Sequence, residues 1–240
     1  MKEATEQQTS DWYNEYHSRK GKDRNDILTN PGVLFQILAI QQSVVKALRA
    51  LPINRSWKVL DVGCGTGGSL LQFLAFGFAP DCLFGIDIIQ ERVHEGKKRF
   101  PNLNLTWGDA SRMNYDSDSF DIVMESTMFI QLADDASSRR IAQEMLRVVK
   151  PSGYVMLIDW RYSLRHPEYK ALSKKRIASL FGVGLETTQH CRTYGALIPP
   201  IGRFLSTYLQ PLYFIVQKTL PFCVGQVVTV LQKQTDRQDR

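Results

Sequence analysis

The chain has 240 residues and a mass of 27.4 kDa, which suits one domain with a small appendage. Hydrophobic residues make up 43% and charged residues 22% of the sequence, a composition that excludes disordered and collagen-like proteins. The formal charge of +6 permits an anionic partner without requiring one.

Cysteine usage and the polar start of the chain predict a cytoplasmic protein. The 4 cysteines are widely spaced and contain no CxxC pair, so neither a metal site nor a disulfide framework is expected. Residues 1–10 lack the apolar core of a secretory signal. No uninterrupted run of 18 apolar residues is present, and a membrane-spanning helix is therefore not expected.

Positive charge is concentrated in the last third of the chain. Residues 161–240 contain 12 Lys and Arg against 4 Asp and Glu, whereas residues 1–160 contain 18 against 20. If an anionic surface or ligand is bound, the C-terminal third is where the sequence predicts it.

The first 52 residues are predicted to form a helical lid or substrate segment. An aromatic cluster at Trp12, Tyr13 and Tyr16 precedes a stretch, residues 33–51, whose apolar side chains recur at helical spacing. Pro52 ends that helix.

Residues 53–240 are predicted to form one α/β domain in which strands and helices alternate. Strands are predicted at 57–62, 83–87, 103–107, 120–124 and 154–158, with helices at 69–76, 90–99 and 137–149. This alternation implies parallel pairing and right-handed crossovers, hence a doubly wound, Rossmann-like sheet. The strands are nearly all apolar, as expected where helices cover both faces.

After Asp159 the alternation becomes less regular, and residues 161–222 are predicted to be a substrate-side insertion. A helix with a basic face is predicted over 168–181, and an extended, turn-like segment over 192–200. Residues 201–220 are strongly apolar and aromatic, and 224–232 form a last strand.

The strongest chemical signal is a glycine-rich turn, Asp61 to Gly67, between the first strand and the helix after it. Glycines are needed where a ligand approaches the backbone closely. The spacing is GxGxG, which differs from the GxGxxG of dinucleotide folds and from a P-loop. Because Asp61 would repel a phosphate, the turn favours a ligand that carries an ammonium group.

Two further acids follow successive strands. Asp87 stands 20 residues after Gly67, where an acid in such folds accepts hydrogen bonds from ribose hydroxyls. Asp109 follows the third strand and could accept from an adenine amino group. The three acids are predicted to line one edge of the sheet, where open α/β sheets bind ligands.

From Val59 to Asp159 the sequence resembles the class I S-adenosylmethionine-dependent methyltransferases. The glycine turn, the two acids, Phe120 to Met124 and the turn at residues 146–154 match the landmarks of that family in order. Ser152 departs from the more usual Pro-Gly-Gly. The resemblance implies a seven-stranded sheet with an antiparallel last strand, S-adenosylmethionine as cofactor and methyltransferase activity.

The resemblance also implies roles for individual residues. The methionine part of the cofactor would be held by Asp61, Gly63, Cys64, Gly65 and Gly67. The adenosine part would be held by Asp87, Ile88, Asp109 and Ala110. Glu125 would contact the cofactor or a substrate amine, with a capping or ion-pair role as the alternative.

The residues after the fourth strand bear on the acceptor. Nucleic-acid amino methyltransferases usually carry Asn/Asp-Pro-Pro-aromatic at this point, whereas this chain reads Glu125 to Phe129 without proline. A nucleic-acid substrate is therefore disfavoured. Asp134 and Asp135 indicate a helix start rather than a metal site.

An alcohol acceptor would benefit from a general base. The candidates are His17, in the N-terminal lid, and Asp159, at the end of the fifth strand. The alternatives are an exposed helix histidine and a structural cap.

The sequence favours O-methylation of a small molecule, such as a sugar, lipid-linked or natural-product hydroxyl. An RNA or protein methyltransferase using the basic C-terminal third, and a non-catalytic cofactor-binding partner subunit, are the alternatives. The apolar stretch of the insertion is either a lid on the core or a peripheral contact with an anionic membrane at its inner face. The oligomeric state is left open.

Overall fold

The computed structural model describes residues 26–132, 134–163 and 169–235. Its centre is a seven-stranded sheet. The strands are β1 Val59–Val62, β2 Leu83–Asp87, β3 Asn104–Trp107, β4 Phe120–Ser126, β5 Val149–Trp160, β6 Thr187–Tyr194 and β7 Gln226–Lys233. The helices are α1 Pro31–Arg49, α2 Leu70–Ala75, α3 Gln90–Arg99, α4 Asp135–Val148, α5 Lys174–Phe181, α6 Pro199–Tyr208 and α7 Leu212–Thr219.

The strand order is β3-β2-β1-β4-β5-β7-β6. Strands β1 to β5 pair in parallel, and β7 is antiparallel to both of its neighbours, β5 and β6. The predicted fold class, a doubly wound seven-stranded sheet with an antiparallel last strand, is confirmed. The parallel arrangement brings the carboxyl ends of β1 to β5 to one edge of the sheet.

Helices cover both faces of this sheet and bury it on both sides. On one face α1, α2 and α3 contribute buried apolar side chains such as Ala47, Phe73 and Val93. On the other face α4 and α5 contribute side chains such as Met145 and Phe181. The central strands β1, β2, β4 and β5 therefore alternate between two apolar environments, which explains why they read as nearly continuous apolar runs.

The stretch predicted as a substrate-side insertion, 161–222, includes two elements that pack with the core, and its role as an insertion stays a prediction. Thr187–Tyr194 forms β6, and α5 packs its buried face against the second core cluster. The segment 192–200, predicted to be extended and turn-like, contains the end of β6 and the start of α6 at Pro199. Strand β6 lies at the edge of the sheet and is largely polar, so it lacks the apolar pattern of the central strands.

The predicted helix at 168–181 is shorter in the structure. Ser173 caps α5, its side chain accepting a hydrogen bond from the backbone N–H of Arg176 at 3.2 Å. Gly182, with a φ of 54°, ends the helix in the left-handed region. Arg176, predicted on the basic face, is buried.

Helix α1, the described part of the predicted N-terminal lid or substrate segment, packs on the sheet. Asn30 caps it and Pro31 occupies its first turn, a common start for a helix. The Ser43 hydroxyl donates to the Thr193 hydroxyl of β6 at 2.8 Å. By length and mean hydropathy of 1.2, α1 is also the one described helix that could cross a membrane, but Ala39, Val44 and Ala47 are buried against the core.

Helices α6 and α7 form a separate layer over the end of the sheet. A third apolar cluster joins them to α1 and β7, with Leu205, Tyr213 and Val227 among its buried members. Gln217 of α7 donates to the carbonyl of Gly195 at 2.6 Å, which ties this layer to the end of β6.

Candidate active site

Four buried carboxyl groups lie at the carboxyl edge of the sheet. Asp61 stands on β1, Asp87 ends β2, Glu125 lies near the end of β4, and Asp159 lies near the end of β5. The parallel strands that carry them are adjacent, which places the acids where open α/β sheets bind ligands. The structure therefore brings together the acids that the sequence singled out on these strands.

The glycine-rich turn folds tightly over this edge. Gly63, Gly65 and Gly67 have φ values of 75°, 55° and 87°, a region that other residues rarely adopt. The backbone N–H groups of Gly63 and Cys64 donate to the carbonyl of Ile86 at 2.8 and 3.1 Å. The spacing GxGxG thus follows from the backbone path of the turn.

Cys64 contributes its backbone to the turn and its side chain to the core. Its thiol is buried in the first apolar cluster. Burial, followed by the charges of Asp61 and Asp87, raises the pKa of the Cys64 thiol. The thiol is therefore a packing group and not a nucleophile.

Asp61 is buried below the turn, and neither of its carboxylate oxygens has a hydrogen-bond partner among the described residues. Burial, and next the charge of Asp87, raises the pKa of Asp61 to about 8, while the charge of Arg92 acts in the opposite direction. A buried carboxylate without partners is costly. A cationic group bound at the turn would supply what Asp61 lacks, so these residues fit a ligand that carries an ammonium or sulfonium group.

Asp87 anchors the turn to β2. Its carboxylate accepts from the backbone N–H of Gly65 at 2.7 Å and of Ile89 at 2.9 Å, and Arg92 of α3 lies 3.8 Å away. A Cβ at residue 65 would collide with the Arg92 guanidinium. Asp87 thus fixes the turn, and each of its oxygens retains a lone pair for a hydroxyl donor.

The region after β2 and β3 is held by short local contacts. The Asp109 carboxylate accepts from the backbone N–H of Ser111 at 2.8 Å, and Ala110 packs against the second core cluster. The Trp107 indole donates to the carbonyl of Ile88 at 3.0 Å and remains half exposed. Sequence analysis did not single out Trp107, although a large aromatic residue at the end of a strand on this edge could have drawn attention to it.

Glu125 and Asp159 hold the loop that follows β4. Glu125 accepts from the backbone N–H of Met128 at 2.9 Å, and Asp159 accepts from the N–H groups of Ile130 at 2.9 Å and Trp160 at 2.6 Å. Burial first, and the charge of Asp159 second, raise the pKa of Glu125. Burial raises the pKa of Asp159 to about 7, against the effect of these hydrogen bonds and of Arg176.

Arg176, which the sequence predicted on the basic face of a helix, is buried and holds this loop. Its guanidinium donates to the carbonyls of Phe129 at 3.0 Å and Leu132 at 2.7 Å, and to the Ser138 hydroxyl at 3.0 Å. Arg176 therefore connects the loop after β4 to α4 and α5. Its position within an otherwise basic run concealed this role.

His17, the other predicted base, lies outside the described residues. Within residues 26–132, 134–163 and 169–235, no group of three or more metal-binding side chains comes together.

The chain is similar to known proteins over the part that contains β1 to β4 and the start of β5. Residues 59–153 match a family model described as a methyltransferase domain. A demethylmenaquinone methyltransferase of Streptomyces avermitilis is 32% identical over 139 residues, covering 58% of this chain and 54% of that protein. A phthiotriol/phenolphthiotriol dimycocerosates methyltransferase of Mycobacterium tuberculosis is 30% identical over 145 residues, covering 53% and 50%.

A solved structure, the PH0226 protein of Pyrococcus horikoshii OT3, is similar over a larger part of the fold. Its TM-score is 0.61 at 15% identity, covering 88% of this chain and 98% of that one. At that identity the likeness concerns the fold alone. The chain spans about half the length of the curated relatives it matches.

Proposed function

We propose that this chain, which carries a class I S-adenosylmethionine-dependent methyltransferase domain, transfers a methyl group to a small, lipid-like acceptor. The observation that carries the proposal is Asp61, a buried carboxyl group with no partner for either oxygen in the described structure, below a glycine turn. S-adenosylmethionine supplies an electrophilic methyl group on a sulfonium and carries the ammonium group that Asp61 would hold.

Other residues at the carboxyl edge of the sheet would bind the remaining parts of the cofactor. The backbone of Gly63, Gly65 and Gly67 leaves room for close approach. Asp87 would accept from the ribose hydroxyls with the lone pairs that Gly65 and Ile89 leave open. The segment that includes Ile88, Asp109 and Ala110 would border the adenine.

The acceptor class is proposed from two considerations. The relatives named above are a demethylmenaquinone methyltransferase and a phthiotriol/phenolphthiotriol dimycocerosates methyltransferase. The loop after β4 contains no proline, which disfavours a nucleic-acid amino group. We place the transfer at oxygen of a lipid-linked, sugar or natural-product hydroxyl, with an RNA or protein acceptor, or a non-catalytic partner subunit, as the alternatives.

Asp159 and His17 are proposed as the groups that receive the acceptor proton. A pKa of about 7 suits proton transfer near neutral pH. The two backbone hydrogen bonds fix the carboxyl group of Asp159 while leaving a lone pair on each oxygen. Because Asp159 is buried, the acceptor or a bridging water must come within hydrogen-bond distance of it for the transfer.

The layer formed by α6, α7 and the turn after them is proposed to rest on an anionic membrane at its cytoplasmic face. Large apolar side chains are exposed there, including Phe204, Tyr208, Ile215 and Phe222, which is 66% exposed. The cations of this layer are Arg203 of α6 and Lys218 of α7, and they have no acidic neighbours in sequence because residues 187–235 contain no Asp or Glu. An exposed apolar surface bordered by cationic side chains is suited to binding an anionic lipid surface. Binding there would give the enzyme access to a lipid-like acceptor.

The cofactor assignment is tested with Asp87→Ala and a matched control, Asp81→Ala, in the exposed turn before β2. We expect Asp87→Ala to weaken binding of S-adenosylmethionine at least about tenfold, because it removes charge-assisted hydrogen bonds to both ligand and turn. The measurement is titration calorimetry, with circular dichroism to verify folding. Unchanged affinity in folded Asp87→Ala would overturn the assignment.

A screen of labelled-methyl transfer across lipid, sugar, phenol and RNA pools would then identify the acceptor. Label in RNA alone would replace the small-molecule proposal.

A further inference from the structure

Two arginines that the cofactor site does not use lie close together on the side of the sheet formed by β5, β7 and β6. Arg161 follows β5 directly, and Arg192 lies on β6, with β7 between the two strands. Burial, and next the positive charge of Arg161, lowers the pKa of Arg192. Like charges placed together in a partly buried region are unfavourable unless an anion accompanies them.

Arg192 has unused donors that are hidden from solvent. Its Nε and Nη1 atoms are buried and have no hydrogen-bond partner among the described residues. On the neighbouring strand, Thr229 stands directly opposite Arg192, and its hydroxyl is likewise buried without a partner. Residues opposite each other on antiparallel strands place their side chains on the same face, so both unpartnered groups belong to one region.

Arg161 is held in a defined position beside this region. Its Nε donates to the carbonyl of Val224 at 2.7 Å, and its Nη2 donates to the carbonyl of Pro221. Its guanidinium lies over the rings of Tyr162, at 4.8 Å, and Tyr194, at 5.7 Å. These contacts fix the charge without neutralising it, because neither backbone carbonyls nor aromatic rings carry a negative charge.

The chain provides no counterion in the part that the structure describes. No ion pair joins Arg161 or Arg192 to a carboxylate there. The nearest acid along β5, Asp159, accepts backbone N–H groups with both oxygens. A half-buried guanidinium with two buried, unpartnered donors is suited to a carboxylate or phosphate, which it can contact through two parallel hydrogen bonds.

The region around Arg192 and Thr229 lies on the same face of the sheet as Asp159 of the candidate active site. Val227 of β7 pairs with Asp159 on one side and with Tyr194 on the other. Thr229 pairs in the same way with Leu157 and Arg192. Arg192 is therefore two strands away from β5, a lateral distance of about 10 Å, on the strand face that also carries Asp159.

We propose that Arg161, Arg192 and Thr229 form a subsite for an anionic group, a phosphate or carboxylate, on the methyl acceptor. The proposal rests on the proposed function, which it makes more specific. The acceptor is an amphiphile whose negative charge binds at β6 while its hydroxyl lies at the end of β5. The apolar layer of α6 and α7 lies next to the subsite, since Arg161 donates to the turn that follows α7.

The subsite is tested with soluble anions, in the presence and absence of S-adenosylhomocysteine. Inorganic phosphate and phenyl phosphate are titrated against wild type, Arg192→Met and Arg192→Lys, and binding is followed by thermal stabilisation. Arg55→Met is the control for loss of an arginine elsewhere, since Arg55 donates to the carbonyl of Phe76 and precedes β1 at the opposite edge. We expect saturable binding to wild type and Arg55→Met, at least tenfold weaker binding to Arg192→Met, and partial recovery in Arg192→Lys.

A second readout distinguishes a subsite from a structural role. In buffer without phosphate, Arg192→Met removes an unpaired, half-buried charge and keeps a similar volume, so the Tm should rise by about 2–4 °C. A fall in Tm would show that Arg192 stabilises the fold. That fall, or phosphate binding equal in wild type and Arg192→Met, would overturn the proposal.

Vesicles distinguish the two sources of the anionic group. Phosphatidylcholine vesicles with and without phosphatidate are compared with phenyl phosphate in the same variants. Arg192-dependent binding of soluble phenyl phosphate supports a group carried by the acceptor. Arg192-dependent binding of the vesicles alone overturns that assignment in favour of a lipid headgroup. If the cofactor proposal fails, Asp87→Ala will bind S-adenosylmethionine as tightly as wild type. That result would leave these anion titrations unaffected.

Discussion

Asp61 has a raised pKa of about 8, so at pH 7 most molecules of the ligand-free protein carry it protonated. A cation bound beside it favours the ionised form and lowers its pKa. The proton must then leave as the ligand binds. The protonation state of this one side chain is therefore coupled to occupancy of the turn.

We expect binding of S-adenosylmethionine at pH 7 to release close to one proton per protein, and the release to disappear well above pH 8, where Asp61 is already ionised. Titration calorimetry in two buffers that differ in ionisation enthalpy measures this number. Asp61→Asn should abolish the release, and Asp81→Asn should retain it. Equal proton release by wild type and Asp61→Asn would contradict this explanation.

The site residues differ in how well the sequence predicted them. Asp61 and Asp87 follow from the spacing of acids and glycines around successive strands, because that spacing is imposed by the backbone. Arg92 and Arg176 have no such signature, since their contacts depend on where α3 and α5 pack. His17, predicted from its type and position in the chain, stays a prediction.

At the scale of elements, the loop after β4 depends on one side chain from another element. Arg176 supplies several donors to carbonyls of this loop. A lysine has the same charge but lacks the planar fork, so it would leave buried carbonyls without partners.

Arg176→Lys should therefore lower the free energy of unfolding by about 2–4 kcal/mol. The neighbouring Lys175→Ala, at an exposed position of the same helix, should change it by less than about 0.5 kcal/mol. Urea denaturation followed by circular dichroism measures both. A similar loss in the two variants would refute a specific role for the Arg176 contacts.

The elements themselves were predicted with unequal success for a physical reason. Strand β2 and helix α3 have the predicted bounds, because a buried strand is an apolar run between turns and its helix begins directly after it. Strand β6 has one paired neighbour and a mostly polar sequence, so its place in the sheet depends on β7.

Ser152 is a further local exception. It adopts a φ of 61° at the point where β5 shifts register, a position that glycine would occupy without strain. The departure from Pro-Gly-Gly seen in the sequence thus coincides with a left-handed backbone.

At the scale of the whole molecule, exposed apolar area and positive charge are both found on the α6 and α7 layer. We expect wild type to float with vesicles of phosphatidylcholine and phosphatidylglycerol, and to dissociate as NaCl is raised. The double variant Ile215→Ser, Phe222→Ser should bind at least about tenfold more weakly, because it removes the side chains that would enter the lipid.

Leu185→Ser is the matched control for flotation. Leu185 is 83% exposed but precedes β6, at the end of that strand remote from the layer. Its substitution should leave vesicle binding unchanged. Absence of salt-sensitive flotation by wild type would remove the membrane from the proposal while leaving the cofactor site intact.

The strand order also governs the sequence of events during synthesis on the ribosome. Strand β7 lies between β5 and β6, although it is the last strand to be made. Until β7 has left the exit tunnel, β6 has no strand to pair with. Ser43 of α1 forms its hydrogen bond with Thr193 of β6, 150 residues later in the chain, so this contact also forms late. The nascent chain can thus pair β1 to β5 early, whereas β6 joins the sheet only after β7 has emerged.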